Sequence, residues 1–250
     1  MSSPVLLVFG AGGNVGLSVL KKFRTGGYKT AAVARNASDA VKAASDKTYQ
    51  ADLTDSSHVD RIFRQVEEDL GQPTVVVYNA YAAHFVNGAD PLTLPVSDFA
   101  ADLAVNVTSA YEAAKCFAAL PPSNHNKVFI FTGNMEFSIL LPEALSLGVG
   151  KNATAYMIEA AANVYGIQGK GEKGYYYFGD ERFEDGYPTM AKIDGEAHGE
   201  FYWELAQKKE QGPWNATFVK GKGYVDFETK RDRDLVSAAV LIEKANKARP

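Results

Sequence analysis

The sequence predicts an α/β protein, a doubly wound parallel sheet with helices on both faces. Three observations lead there. Strand-like and helix-like stretches alternate, the pattern of parallel strands joined by crossover helices. The apolar run 5–9 enters a turn holding Gly10, Gly12, Gly13 and Gly16, and an amphipathic stretch with Leu17, Leu20 and Phe23 follows. No linker, repeat or low-complexity tract divides the chain, so residues 1–250 are expected to form one domain.

Strand one covers 4–10, and its helix covers 14–26, ending at Gly26-Gly27, a suitable C-terminal stop. Strand two is 29–34. A short helix at 37–45 leads to strand three, which ends at Ala51-Asp52. Asp55 or Ser56 caps the next helix, where Val59, Ile62, Phe63, Val66 and Leu70 keep helical spacing. The β-branched run 75–77 is strand four. After a loop at 81–96, Ser97 caps a long helix over 98–119, with Phe99, Leu103, Val107, Tyr111 and Ala114 on one face. Strand five is 128–131, a helix fills 150–165, and strand six is 175–178. An irregular loop at 179–192, a helix at 196–209, a seventh strand within 216–226 and a helix at 230–247 complete the chain.

Composition narrows the function classes. A net charge of −4 leaves no electrostatic footprint for nucleic acid. The single cysteine, Cys116, excludes an internal disulfide and a cysteine-based metal site. The four histidines, His58, His84, His125 and His198, have no metal-ligand spacing, so no metal is expected. No apolar run reaches membrane-spanning length, and Met-Ser-Ser opens the chain without a basic or cleavable leader. The expectation is a cytoplasmic protein without a membrane partner.

A strand, a glycine turn and a helix start let backbone N–H groups approach a pyrophosphate at the positive end of a helix. This assigns Gly10, Gly12, Gly13, Asn14, Val15 and Gly16 to a dinucleotide. Sites that prefer NAD place a carboxylate at the end of strand two. That stretch here is Ala34-Arg35-Asn36. Arg35 suits a 2′-phosphate, so NADP(H) is expected over NAD(H). Asp52 either accepts from the adenine amino group, with Leu53 beside the ring, or caps a helix. Asn79-Ala80 is expected under the ribose and nicotinamide, at the carboxyl edge of the sheet.

Together, the glycine turn, Arg35, Asp52-Leu53, Asn79-Ala80 and Asn106 resemble the short-chain dehydrogenase/reductase family over nearly the whole chain. The resemblance implies a Rossmann-type sheet of about seven strands in the order 3-2-1-4-5-6-7. It also implies a dimer or tetramer built on the helices at 98–119 and 150–165. The glycine spacing departs from ordinary members, which carry Thr-Gly-x-x-x-Gly-x-Gly. Gly10, Gly13 and Gly16, with Asn14 and Val15, fit the Gly-x-x-Gly-x-x-Gly of atypical members, and the Gly-Asn-Val-Gly is similar to that of NmrA-like regulators.

The family's catalytic set is Ser, Tyr-x-x-x-Lys and a helical Asn. Here Gly133 stands where the serine is expected, Gly150 where the tyrosine is and Thr154 where the lysine is. Asn106 alone is retained. Hydride transfer still needs a proton source, and another donor can serve. Asn134 and Asp180 join Asn106 as candidate catalytic groups. Tyr81, His84, Glu136, Tyr202 and Trp203 are candidate pocket residues, with 179–215 as a loop-helix lid over an aromatic or apolar small molecule.

These readings converge on an NADP-dependent oxidoreductase acting on a carbonyl, imine or iminium without the usual Tyr/Lys pair. The alternatives are an NADP-binding regulator or scaffold without turnover, and a cyclase or isomerase reusing the pocket.

Overall fold

The structure is a computed structural model describing residues 3–87, 90–227 and 234–248. Its main sheet has eight strands in the order β3-β2-β1-β4-β5-β7-β8-β9. These are β1 (Val5–Phe9), β2 (Lys29–Ala34), β3 (Lys47–Gln50), β4 (Pro73–Tyr78), β5 (Val128–Thr132), β7 (Tyr175–Arg182), β8 (Asn215–Val219) and β9 (Gly223–Tyr224). All pairings are parallel except β8 with β9. The expected seventh strand is thus a hairpin, and its second arm raises the count to eight. A separate two-stranded ribbon joins β6 (Ile139–Leu140) to β10 (Asp234–Leu235).

Helices cover both faces. On one side α1 (Val15–Thr25), α2 (Asp39–Ala44) and α7 (Gly195–Gln207) bury Val19, Phe23, Phe201 and Leu205. On the other, α3 (Ser57–Asp69), α5 (Ser109–Ala119) and α6 (Leu145–Ala161) bury Ile62, Phe117 and Ile158. A terminal helix, α8 (Ala238–Ala248), starts later than expected; residues 228–233, which include the expected start at 230, lie outside the described residues.

Beneath the carboxyl edge lies an aromatic ladder. Phe9, Tyr78, Phe131 and Phe178 stand in register on β1, β4, β5 and β7. Successive rings stack at 5.7 Å. Each such pair adds about 0.5–1.5 kcal/mol beyond its burial. The ladder makes a rigid floor under the site.

The expected helix 98–119 is broken. α4 (Val96–Leu103) and α5 are separated by a π turn, Ala104–Thr108. An extra residue in one turn rotates the downstream side chains by about 100°. Tyr111 is therefore exposed rather than on the inner face, while Ser109 and Ala113 turn inward; Asn106 within the turn and Asp102 ahead of it are also buried. The helix also begins at Val96, so Ser97 is not its cap. α6 starts at Leu145, five residues before the expected 150, because Gly148 and Gly150 lie inside the helix rather than ahead of it.

β7 continues through Gly179, Asp180, Glu181 and Arg182, where a polar loop was expected. The charged run is buried because it is internally paired, with Arg182 Nε donating to Asp180 Oδ2 at 2.6 Å and Asp194 N donating to Glu181 Oε2 at 2.8 Å.

Candidate active site

The first βα turn sorts its glycines by role. Gly10 has φ +78°, and a Cβ there would lie 2.4 Å from Ala80 N. At Gly16 a Cβ would lie 2.7 Å from Ala11 Cα, so this glycine seats α1 against the turn. At Gly12 and Gly13 an added Cβ would meet nothing within 4 Å. The turn is therefore open on the side a phosphate would approach, beside the start of α1, where Leu17 N and Ser18 N already donate to Gly12 O and Asn14 O and the N-terminal end of the helix carries its positive dipole.

From this turn a cleft of about 790 Å³ runs along the carboxyl edge of β1, β2 and β4. It brings together Gly10, Gly12, Arg35, Asp52, Leu53, Asn79, Ala80, Tyr81 and His84, all expected at the site from sequence. Gly13, Asn14, Val15 and Gly16 do not line the cleft; Gly13 and Asn14 are exposed at its end, and Val15 and Gly16 are buried at the start of α1. Asn14 donates from Nδ2 to Ile193 O at 3.0 Å and ties the turn to the segment before α7. Asn79 donates from Nδ2 to Gly10 O at 2.8 Å, clamping the glycine turn to β4. Asp52 Oδ1 accepts from Thr54 N at 3.0 Å, which holds its carboxyl below the ordinary range and leaves it an ionised acceptor. The N-cap position of the next helix is Ser56, which makes no side-chain bond there, and Asp55 just ahead of it accepts from Ser57 N at 2.9 Å. Ser109 Oγ donates to Leu53 O and braces that wall from α5.

The other end of the site is packed shut. A Cβ at Gly133 would lie 2.2 Å from Phe178 Cε1, so the serine position is taken up by the aromatic ladder. A Cβ at Gly150 would lie 2.7 Å from Asn106 Cβ. Thr154 returns its hydroxyl to Gly150 O at 2.8 Å. One Tyr-x-x-x-Lys spacing does occur, Tyr111 to Lys115 on α5. Tyr111 is exposed, and Lys115 pairs with Glu112 on the outer surface, so this pair is remote from the cleft.

Several candidates prove to be structural. Asn106 accepts from Ala82 N at 2.9 Å and donates to Ala82 O at 2.7 Å, fastening the loop after β4. Asp180 is buried against Arg182, whose guanidinium also reaches Ser138 Oγ, so it faces no cleft. Tyr202 is fully buried behind β5 and β7, where its hydroxyl donates to Thr132 Oγ1; burial pushes its ionisation far up. Trp203 packs edge-on against Phe23 and Tyr28 and occupies the space above Gly26. The helix carrying both is a layer of the fold rather than a flap. Gly195 and Gly199 let it press against Asn14 and Ser18 of α1.

Asn134 accepts from Glu136 N at 3.1 Å and closes a short turn after β5. Glu136 is buried, and its Oε2 accepts no hydrogen bond; burial raises its carboxyl to about 7. Lys151 lies nearby, fully enclosed, with Nζ 4.6 Å from the centre of the Phe131 ring and donating to Thr132 O at 2.7 Å. Burial lowers it to about 8, against the opposing pull of Glu136 and Asp180.

Sequence reasoning missed Asp102. It is completely buried on α4, accepting from His84 N at 2.8 Å, from Ser146 Oγ at 2.5 Å and facing His84 Nδ1 at 2.9 Å. The available signal was the pair Asp102 and Asn106, two polar residues one helical turn apart.

A glycine turn at the carboxyl edge of a parallel sheet, opening on a long cleft, defines a nucleotide-binding α/β protein. The chain belongs to the short-chain dehydrogenase/reductase family of oxidoreductases, whose members bind nicotinamide cofactors. Residues 10–170 match the family described as enoyl-(acyl carrier protein) reductase. Short chain dehydrogenase/reductase dmxR12 of Cryptosporiopsis sp. (strain 8999) is 42% identical over 248 residues, 93% of this chain and 98% of that relative. Among solved structures, a short-chain dehydrogenase/reductase from Mycobacterium marinum aligns with a TM-score of 0.71 at 19% identity, covering 88% of this chain and 95% of its own. A metagenomic short-chain oxidoreductase in complex with NADP aligns at 0.74 and 16% identity, covering 87% and 97%. The NADPH-dependent 3-quinuclidinone reductase of Rhodotorula rubra aligns at 0.71 and 19% identity, covering 90% and 92%. At these identities the solved structures speak to the fold alone. Among the described residues no helix is long and apolar enough to cross a membrane, and no cluster of ligating side chains could hold a metal.

Proposed function

We propose that this chain is an NADP(H)-dependent oxidoreductase that acts on a carbonyl, imine or iminium carbon of a small apolar or aromatic molecule. The observation that carries the reading is Arg35, which lines the cleft where a site for NAD would hold a carboxylate. The open turn at Gly12 and Gly13 suits the pyrophosphate, and Asp52 and Leu53 suit the adenine. When bound, such a cofactor gives or takes a hydride at its nicotinamide ring. The protein's own part is to clamp the turn through Asn79 and to hold the 80–84 loop through Asn106. Neither the tyrosine nor the lysine of the ordinary family is present to supply a proton, which favours substrates whose electrophile is already activated. The exposed Tyr111, Tyr156, Val164 and Ile167 on the α5–α6 side suit a homo-oligomer contact.

Calorimetric titration with NADPH and NADH, followed by incubation with carbonyl, quinone and imine panels, tests this. Preferential NADPH binding with substrate-dependent oxidation is expected. A second reading, NADP binding without turnover, is favoured by the filled seats at Gly133 and Gly150. Tight binding with silence across the panels selects it. No binding to either nucleotide removes both.

A further inference from the structure

We infer that His84 and Asp102 form a proton-transfer dyad on the wall of the cleft. In it His84 Nε2 is the group that protonates, or deprotonates, the substrate atom next to the reacting carbon. This rests on the oxidoreductase reading above and names the acid it lacks.

The dyad is built from three elements. His84 sits in the loop that follows β4, Asp102 on α4 and Ser146 on α6. Asp102 is entirely buried, yet its carboxylate has three partners: the backbone N–H of His84, the Ser146 hydroxyl and the His84 ring. Three bonds account for a charge that would otherwise be costly to bury. The carboxylate bonds the ring and the backbone of the same residue, so the imidazole is fixed by two contacts. Nδ1 faces the carboxylate at 2.9 Å. A carboxylate accepts, so the neutral ring carries its proton on Nδ1. Nε2, on the far side of the ring, is left to the half of the side chain that is exposed on the cleft wall. A buried carboxylate that sets the tautomer of a cleft imidazole is the arrangement by which histidine serves as a general acid and base.

The location fits. His84 lies four residues beyond Ala80, on the segment that Asn106 fastens at Ala82. This segment flanks the end of the cleft away from Arg35 and Asp52. In the reducing direction, a bound nicotinamide would supply the hydride for the new C–H bond and would itself be oxidised. The C=O pair moves onto oxygen, the Nε2–H bond breaks and an O–H bond forms. The ring is left neutral with Nδ1–H on Asp102, and it recovers its proton from solvent through its exposed edge. Oxidation runs the same steps backwards.

The test uses the full chain labelled with 15N-histidine. Nitrogen shifts report which ring atom carries the proton, with no need for turnover. The neutral His84 ring is expected as the Nδ1–H tautomer, and saturating NADP+ is expected to move its Nε2 resonance while leaving buried His198 in place. Asp102→Asn is expected to abolish the tautomer preference. Should that buried variant fail to fold, His84→Gln carries the second arm. It should retain NADPH affinity within about 3-fold and lose kcat by about 100-fold or more on any substrate the panels reveal. Added imidazole should restore part of the activity of His84→Ala. An Nε2–H tautomer in the wild type, or NADP+ binding that leaves His84 unmoved, overturns the dyad alone. Failure of NADP+ to bind overturns the oxidoreductase reading and the dyad with it.

Discussion

The two halves of the carboxyl edge have diverged in opposite directions. Over β1, β2 and β4 the edge is open, with a cleft of about 790 Å³. Over β5 and β7 it is closed. Phe178 occupies the seat at Gly133, Asn106 occupies that at Gly150, and a paired Asp180–Arg182 fills the strand beyond. A glycine at the turn of β1 and a glycine at Gly150 look alike in sequence. Gly12 and Gly13 in that turn leave open space, whereas Gly150 yields its space to the Asn106 side chain. On the proposed function, binding and proton transfer come apart in this chain, and the second is to be sought on the open side.

The sharpest way to break the comparison is to close the open half. Gly10→Val puts a β-branched residue at φ +78° with its Cβ against Ala80 N. A left-handed conformation is costly for such a residue, and the clash is with backbone that cannot rotate away. Nucleotide affinity should fall by more than about 100-fold, about 2.7 kcal/mol, with a lowered Tm. Fluorescence titration and thermal unfolding read both. Retained affinity means the turn does not cradle the ligand.

The converse attempt is to reopen the closed half by restoring what the family lacks. Gly150→Tyr with Thr154→Lys should not produce an ordinary enzyme. The new side chain starts 2.7 Å from Asn106 Cβ and displaces the clasp on Ala82. Overpacking of this kind costs about 1–3 kcal/mol, seen as a lower denaturation midpoint. A gain in carbonyl reduction would show that the seat is vacant in solution.

Arg35→Ala probes the open half more gently. A charge-assisted contact to phosphate is worth about 1.5–3 kcal/mol. NADPH affinity should drop by about 10–100-fold and NADH affinity should stay within about 3-fold. An equal loss for both would place Arg35 outside the 2′-phosphate site.

The difference between the halves also explains what the sequence disclosed. Backbone geometry is written locally, in glycine spacing and in the residue that ends β2, so the gathering of Gly10, Arg35, Asp52 and Asn79 along one cleft was legible. Side-chain roles in the closed half depend on contacts between distant segments. Trp203 read as a substrate lid because nothing nearby reveals that Gly26, far along the chain, makes room for its indole. Asp180-Glu181-Arg182 read as part of an irregular loop, with Asp180 a candidate catalytic group, because charge spacing alone does not disclose internal pairing. Beyond residue 104 the inner face of 98–119 was misread because of the π turn at Ala104–Thr108, which no periodicity of 3.6 anticipates; ahead of it, the buried residue is the charged Asp102, which an apolar pattern does not pick out. That turn leaves Tyr111 exposed beyond it, while Asp102 lies ahead of the turn and is buried without its help.

The smallest effect tests the cost of closure. Burial holds the Glu136 carboxyl at about 7, up from 4.5. Between those values the folded protein keeps a proton that the unfolded chain gives up, so stability falls as pH rises through the window. Lys151 runs the other way. Burial lowers it from 10.5 to about 8, the folded protein sheds a proton that the unfolded chain keeps, and stability rises with pH above about 8. The two contributions together are least favourable between about pH 7 and 8, where the unpaired Oε2 of Glu136 must carry charge inside the packed half. Glu136→Gln removes the acidic limb and leaves the shape. Relative to wild type it should gain about 1–2 kcal/mol on passing from pH 5 to pH 7.5, read from urea midpoints at each pH. No such gain would mean that water reaches Glu136 and that the β5–β7 end is open after all. The contrast between the two halves would then fail at the place where it is most exposed to measurement.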